Sequence, residues 1–445
     1  MDQLHIFFLP LLSAGNFIPM VDMAKLFASR GVRATIVTTA GNLTRVKPAV
    51  DRCPHPIRIL TISFPSSSVP DNMSDVPTPD TCNEVLEALG SLEAPFEQLL
   101  AEHRPDCVVS DMWYTWSADL AAARGIPRLI FRASSAFSGV LSAAISSSKP
   151  HEGVADDDEP FLVPGVPHRI ELSRSRLMYS DELYAPLRGL FARMAEAVRR
   201  SYGTVLNTSR ELEPGYVAGE RVWALGPVSL CNEDALERAA RGGDGCGDCM
   251  DWLDGREPGS VVYVCFGSMG GFGRDQLREV AAGLAASGHP FLWVVRNAGD
   301  ASEWMPEGFE EEVEGTGRVV WGWAPQVAIL GHGAVGGFVT HCGWNSCLEG
   351  ASCGVPMATW PLFSDQFLNE RLLVDVLRIG VAVGSKKFGW LAEERTLVGA
   401  EDVSRAVKEV MGSGEEARGR REEGEGERSC GGGEEGYGGG RIFLQ

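Results

Sequence analysis

Positive charge is scarce in this sequence: 40 lysines and arginines face 60 aspartates and glutamates, a formal net charge of −20. Nucleic-acid recognition calls for basic patches and an anionic bilayer attracts cations, so neither is an expected partner. No apolar run approaches the length of a membrane-spanning helix. At the N-terminus, Asp2 stands where a signal peptide carries basic residues, and Pro10 interrupts the short apolar run behind it. The 11 cysteines form no regular framework, and Cys107, Cys265 and Cys342 lie in apolar, strand-like runs. Such usage fits a reducing cytosol better than a disulfide-stapled secreted fold, and a cytoplasmic protein is expected. Cys246 and Cys249 have zinc-like spacing, but no second pair or histidine set follows. No metal and no other cofactor is therefore expected.

What is present is repeated strand–helix alternation. Leu4 to Leu9 is a mostly apolar strand, Ser13 to Asn16 a small-residue loop, Pro19 to Ser29 an amphipathic helix, and Val32 to Val37 the next strand. That is a βαβ unit. Ile57 to Phe64 reads as a third strand, followed by a Ser/Pro/Asp-rich loop to about Pro79. Cys107 to Ser110 is a buried strand that delivers Asp111, and Arg128 to Phe131 hands over to Ala133, Ser134 and Ser135. Repeated βα units predict a doubly wound α/β fold with polar groups gathered at the carboxyl ends of strands. The layout predicted is a first domain over 1–230, a charged, Gly-rich linker over 231–250 and a second domain over 251–411. A Gly/Glu/Arg-rich tail over 412–445 has too few apolar residues to offset its ordering entropy and is expected to be disordered. The helix from Leu183 to Tyr202 carries an apolar stripe (Leu187, Leu190, Phe191, Met194, Val198) assigned to the core.

The stretch from Trp323 to Gln366 carries the chemistry. The apolar run Gly337 to Thr340 ends in His341-Cys342-Gly343-Trp344-Asn345-Ser346, and a helix begins there. Helix-terminal amides and the helix dipole make such a turn an anion site, to which His341, Asn345 and Ser346 add side-chain donors. A diphosphate suits it. Trp323 offers a stacking face for a base, Ala324 follows it, and Gln326 and Glu349 suit ribose hydroxyls. Asp365 and Gln366 sit where a hexose would be read. Gly267 and Ser268, in a second strand–turn–helix, form a further wall for the phosphates. A dinucleotide oxidoreductase would need Gly-x-Gly-x-x-Gly after its first strand, and that is missing.

This box resembles the signature box of the plant family 1 UDP-sugar glycosyltransferases over its full length, and the likeness extends across most of the chain. The resemblance implies a GT-B fold, two Rossmann-like doubly wound domains facing across a cleft. It also implies a UDP-sugar donor, with Gln366 leaning toward glucose, transfer with inversion, and a small hydrophobic acceptor such as a flavonoid, phenolic, terpenoid or steroid. Ser134 falls on the acceptor and sugar side, and a monomer is expected. In this family a catalytic His lies in a Gly-His-x-x-Pro context after the first strand, with an Asp partner closing a later strand. Asp111 matches the Asp, whereas Gly15-Asn16-Phe17-Ile18-Pro19 places Asn16 at the His position. Asn has no titratable nitrogen and cannot serve as a base; as a local residue it makes a good helix N-cap. Three accounts stay open. Asp111 acts alone or through a water held by Asn16, the acceptor is acidic enough to need no base, or the chain is a weakened or inactive UDP-sugar-binding relative.

Overall fold

The computed structural model of the chain describes residues 3–64, 84, 88–178, 188–241, 247–296, 298–412, 419–420 and 423. Two parallel sheets dominate it. The first contains β1 (His5–Leu9), β2 (Arg33–Thr39), β3 (Ile57–Ile62), β4 (Cys107–Asp111) and β5 (Arg128–Arg132), with a separate antiparallel hairpin of β6 (Pro160–Leu162) and β7 (Glu171–Ser173). It is completed by β8 (Gly203–Leu206) and β9 (Val222–Ala224), in the spatial order β3-β2-β1-β4-β5-β8-β9. The second holds β10 (Val261–Cys265), β11 (Phe291–Val295), β12 (Gly317–Trp321), β13 (Val335–Thr340), β14 (Met357–Thr359) and β15 (Gly380–Ala382), ordered β12-β11-β10-β13-β14-β15.

The central strands are buried along their whole length because helices cover both faces of each sheet. His-Ile-Phe-Phe-Leu in β1 and Val-Val-Tyr-Val-Cys in β10 are buried at every position. A parallel sheet sandwiched in this way selects continuous apolar runs rather than alternation. His5, the one polar residue of β1, is held by Thr35 of β2 through Nε2–Oγ1 at 2.9 Å, and burial lowers its pKa to about 4. It is a packed strand residue, as its position in the sequence suggested.

The structure departs from the sequence reading in three places that bear on function. The first helix runs Ala14–Ser29, so Asn16 lies inside its first turn and Ser13 takes the N-cap position; the N-cap reading of Asn16 is wrong. Pro19 is then the sixth residue of the helix, and the carbonyl of Gly15 has no i+4 amide to accept. The stretch expected to be a plain linker contains a helix, Ala235–Ala240, and the start of another, Gly247–Asp254. Asp234 caps the former by accepting from the Glu237 amide at 2.7 Å. Finally, the helix after β10 starts at Arg274, so Gly267 and Ser268 belong to a longer loop and not to a helix N-terminus. The loop expected near 65–79, Cys246, and nearly all of the tail beyond Gly412 lie outside the described residues.

Candidate active site

In each sheet the strand order reverses beside the first strand, between β1 and β4 and between β10 and β13. Such switch points splay the outgoing loops and leave a crevice at the carboxyl edge. The carboxyl ends of these four strands, and the turns and helix starts that follow them, carry Asn16, Asp111, Gly267–Ser268 and His341–Ser346. The two crevices face each other and form one cleft of about 530 Å³. Asn16, Ser134, Gly267, Ser268, Trp323, Ala324, Gln326, His341, Gly343, Trp344, Asn345, Ser346, Glu349 and Asp365 all line it. Two expected site residues, Asp111 and Gln366, do not.

The second-sheet wall is a backbone cradle. The helix Trp344–Ser352 has Gly343 at its N-cap, with no capping side chain. Its first intrahelical bond runs from the Cys347 amide to the Gly343 carbonyl at 3.0 Å, so the amides of Trp344, Asn345 and Ser346 have no partner within the helix. His341 stands beside them. A Cβ built on either Gly267 or Gly343 would lie 2.4 Å from its Nε2, so both glycines are required for the ring to fit. Burial lowers the His341 pKa to about 4, which keeps the imidazole neutral, with one N–H to donate. Ser346 Oγ accepts from Gln326 Nε2 at 3.0 Å, leaving its own proton for an anion.

The side chain of Asn345, expected to serve the anion, is committed elsewhere, as is that of Trp344. Asn345 Nδ2 donates to the Gly15 carbonyl at 2.6 Å, the acceptor that Pro19 leaves without an amide. Asn345 Oδ1 accepts from Asn207 Nδ2 at 3.3 Å, and Trp344 Nε1 donates to the Asn207 carbonyl at 2.8 Å. These side chains lock the second sheet's cradle to the first sheet, and their contribution to an anion is their backbone amides. Trp323 presents its ring to the cleft with the Arg296 guanidinium 4.6 Å from its centroid. Glu349 has both oxygens engaged, Oε1 by Arg241 and Oε2 by Gln326 Nε2 at 2.7 Å.

Asp365 and Gln366 have separated roles. Asp365 faces the cleft, with Ser138 Oγ 3.5 Å from Oδ2, and burial raises its pKa. Gln366 is buried, and its Oε1 accepts from the amides of Leu362 and Phe363 at 2.9 and 3.1 Å. It shapes the turn that presents Asp365, and in this structure it does not reach the cleft. Ser135, beside Ser134, donates to Asn369 Oδ1 at 2.7 Å, a second tie between the two sheets.

On the first-sheet wall, Asn16 Nδ2 donates to Asp111 Oδ2 at 2.7 Å while its Oδ1 accepts from Ser13 Oγ at 2.7 Å. Asp111 Oδ1 is taken by the Trp113 amide at 3.1 Å. The carboxyl is 0% exposed. Burial raises its pKa to about 6 against the opposing pull of the Trp113 amide, Asn16 and Arg128. Asn16 lies between Asp111 and the cleft, so Asp111 has no direct path to an acceptor proton. Beside the polar Ser13, Ser134 and Arg132, this side of the cleft carries an apolar set: Ile18, Met112, Trp113, Met178, Phe191 and Met194. Met194, expected in the core, is buried, and the helix Arg188–Arg200 also brings it and the half-buried Phe191 to the edge of the cleft. The sequence also gave no sign of Arg132, Arg241 or Arg296, all three of which line the cleft. Arg241 lies in the stretch whose composition suggests a linker, Arg132 closes β5 and Arg296 follows β11.

Known proteins agree with this geometry. Residues 250–414 match the family model described as "UDP-glucoronosyl and UDP-glucosyl transferase". An anthocyanin 3'-O-beta-glucosyltransferase of Gentiana triflora is 43% identical, covering 93% of this chain and 91% of its own. A scopoletin glucosyltransferase of Nicotiana tabacum is 44% identical over the same shares. Among solved structures, Glycyrrhiza uralensis UGT73P12, complexed with glycyrrhetinic acid 3-O-monoglucuronide, superposes with a TM-score of 0.90 at 37% identity, covering 96% of this chain and 91% of that one. No described helix is long and apolar enough to cross a membrane. With two doubly wound sheets, an amide cradle at one switch point and relatives of this identity over nearly the whole chain, the protein is a GT-B transferase and belongs to the plant family 1 UDP-glycosyltransferases.

Proposed function

We propose that the chain transfers glucose, with inversion, from UDP-glucose to an acidic O–H of a small hydrophobic plant metabolite, a phenolic hydroxyl or a carboxyl group. The acceptor loses its proton to solvent, its oxygen forms a bond to the sugar's anomeric carbon, the carbon–oxygen bond to the β-phosphate breaks, and UDP leaves with the electron pair. The Trp344, Asn345 and Ser346 amides, with His341 and the Ser346 hydroxyl, take up the charge that develops on the diphosphate. Gly267 and Ser268 line the same space, Trp323 stacks the base, and Asp365 reads sugar hydroxyls. These neutral donors meet the diphosphate charge, so the reading includes no metal and no further cofactor. The relatives named for glucosyl transfer to anthocyanin and scopoletin support the choice of glucose and of an aromatic acceptor. We further propose a monomer, since one chain supplies both walls of the cleft, and a cytosolic reaction, since the cysteines form no disulfide framework.

The observation that carries the acidic acceptor is the position of Asn16. It fills the wall where the family's base belongs and screens Asp111 from the cleft. An acceptor that ionises near neutral pH brings its own nucleophile. Asp111 is then a positioning residue that orients the Asn16 amide and, through it, the Ser13 hydroxyl. The test is UDP release from UDP-glucose with matched phenols, carboxylic acids and aliphatic terpenoid or steroid alcohols. We expect turnover of the first two classes and none of the third. Equal turnover of the aliphatic alcohols would overturn the acidic-acceptor reading. Silence on every acceptor with UDP still bound would instead favour an inactive donor-binding relative, a reading that the named activities of the relatives do not support.

A further inference from the structure

Arg241 joins three parts of the molecule. Its Nε donates to Asp22 Oδ2 at 2.6 Å, on the first helix of the first sheet, and its Nη1 pairs with Glu349 Oε1, on the cradle helix of the second. All three side chains are at most 8% exposed. The network continues away from the cleft. Asn232 Nδ2 donates to Asp22 Oδ1 at 3.0 Å, Lys25 Nζ donates to Asn232 Oδ1 at 2.7 Å, and Lys25 pairs with Glu237 at 3.0 Å. Arg241 also lines the cleft, beside Gln326, Ser346 and Glu349.

Glu349 and Gln326 are the groups assigned above to the ribose hydroxyls. Each Glu349 oxygen already has a charged or amide donor, Arg241 on one and Gln326 on the other. Paired ribose hydroxyls are donors too. Each carboxylate oxygen has a second lone pair, but Arg241 and Gln326 line the cleft together with Glu349 and occupy the side from which the hydroxyls would come. A neutral O–H that takes the place of a guanidinium at a buried carboxylate keeps a charge-assisted bond but gives up the ion pair.

We propose that Arg241 is a donor-site latch: it holds Glu349 in the place of the ribose hydroxyls, and UDP-sugar binds by displacing its Nη1 while Asp22 retains its Nε. This inference rests on the UDP-sugar reading of the cleft. The latch couples nucleotide binding to the contact between the two sheets, because the same guanidinium bridges them. It sets donor affinity below what the cradle alone would give, and it keeps the buried Glu349 carboxylate paired until the hydroxyls arrive.

The test is UDP affinity by calorimetry, with melting temperature measured with and without UDP, for the wild type, Arg241→Met and Arg241→Lys. We expect Arg241→Met to melt lower without UDP, because Glu349 and Asp22 lose their partner. We also expect it to bind UDP about tenfold more tightly, which is about 1.4 kcal/mol, so that saturating UDP raises its melting temperature by more than it raises the wild type's. Lys keeps the charge but not the two-sided fork, and Arg241→Lys should fall between the two; it carries the test if the Met variant does not fold. Equal or weaker UDP binding by Arg241→Met, or by Arg241→Lys where that variant carries the test, would overturn the latch and leave the donor reading intact. No UDP binding by any of the three proteins would overturn the donor reading itself.

Discussion

The two walls of the cleft are built by the same topology and differ in what they expose. Each is the switch point of a parallel sheet, with the loops of two neighbouring strands converging. On the second-sheet wall the reactive groups are backbone amides at one helix start, with His341 packed against two glycines. On the first-sheet wall they are side chains brought from separate segments, with a buried carboxyl behind an amide. A backbone site depends on local turn and helix geometry and is written in one contiguous stretch. A side-chain site changes chemistry with one residue while its frame stays the same. Asn16 is that case: the helix, the partner Asp111 and the apolar surroundings are in place, and the titratable ring is not.

The sharpest way to break the comparison is to restore the ring. Asn16→His gives Asp111 an imidazole to polarise, and a general base typically contributes about 10²–10⁴-fold in rate. We expect that gain in kcat on weakly acidic alcohols and little change on carboxylic acids. Asp111→Asn should cost the Asn16→His enzyme most of the gain and cost the wild type less than about tenfold, because the wild-type carboxyl takes no proton from the acceptor. Next in size is the cradle. Gly343→Ala sets a methyl 2.4 Å from the His341 ring. Overpacking of this kind costs about 1–3 kcal/mol, and we expect UDP affinity by calorimetry to fall by a factor of about 5–150, with the acceptor order unchanged.

Stability against pH separates the walls in a smaller way. The folded pKa of Asp111, about 6, lies above its ordinary value of 3.8, so the carboxyl favours the fold below about pH 4 and that contribution is lost as pH rises through 6. Asp111→Asn removes a buried charge worth up to about 3 kcal/mol and gives up an acceptor worth about 1 kcal/mol. We therefore expect the variant to be the more stable protein by about 1–2 kcal/mol at pH 7.5, with the gap closing or reversing below about pH 4 in urea titrations. His341 acts in the opposite sense: its folded pKa, about 4, is below its ordinary 6.5, so its contribution is present above pH 6.5 and lost as pH falls through about 4. An effect of similar size is expected from Gln366→Ala. It frees the Leu362 and Phe363 amides, raises the KM for UDP-glucose a few-fold and costs about 1–2 kcal/mol of stability.

Most of the fold was legible because buried parallel strands are continuous apolar runs, and the alternation of β1, the first helix and β2 shows them plainly. The amide cradle was legible for a related reason: amides at a helix start leave a Gly and small polar residues behind a strand. What failed depended on distant partners. Pro19 suggested a helix beginning just before it. The helix instead starts at Ala14, and the Gly15 carbonyl bypassed by Pro19 is satisfied by Asn345, 330 residues away. Asn345 is expected to give its side chain to the anion; instead its side-chain amide and the Trp344 indole tie the helix start to Gly15 and Asn207. Phe191 and Met194 gave a helical stripe whose periodicity shows a buried face without showing whether protein or ligand covers it. Arg241 reaches Glu349 only through the folding of a charged segment that composition marked as linker.

The most direct measurement is the slope of log kcat/KM for wild type against acceptor pKa, in a series of phenols and alcohols of matched size, beside the same series for Asn16→His. We expect a steep fall with rising acceptor pKa in the wild type and a shallow one in Asn16→His. A shallow slope in the wild type would mean that a base already reaches the acceptor, and would contradict the assignment of Asn16 as the residue that seals Asp111 from the cleft.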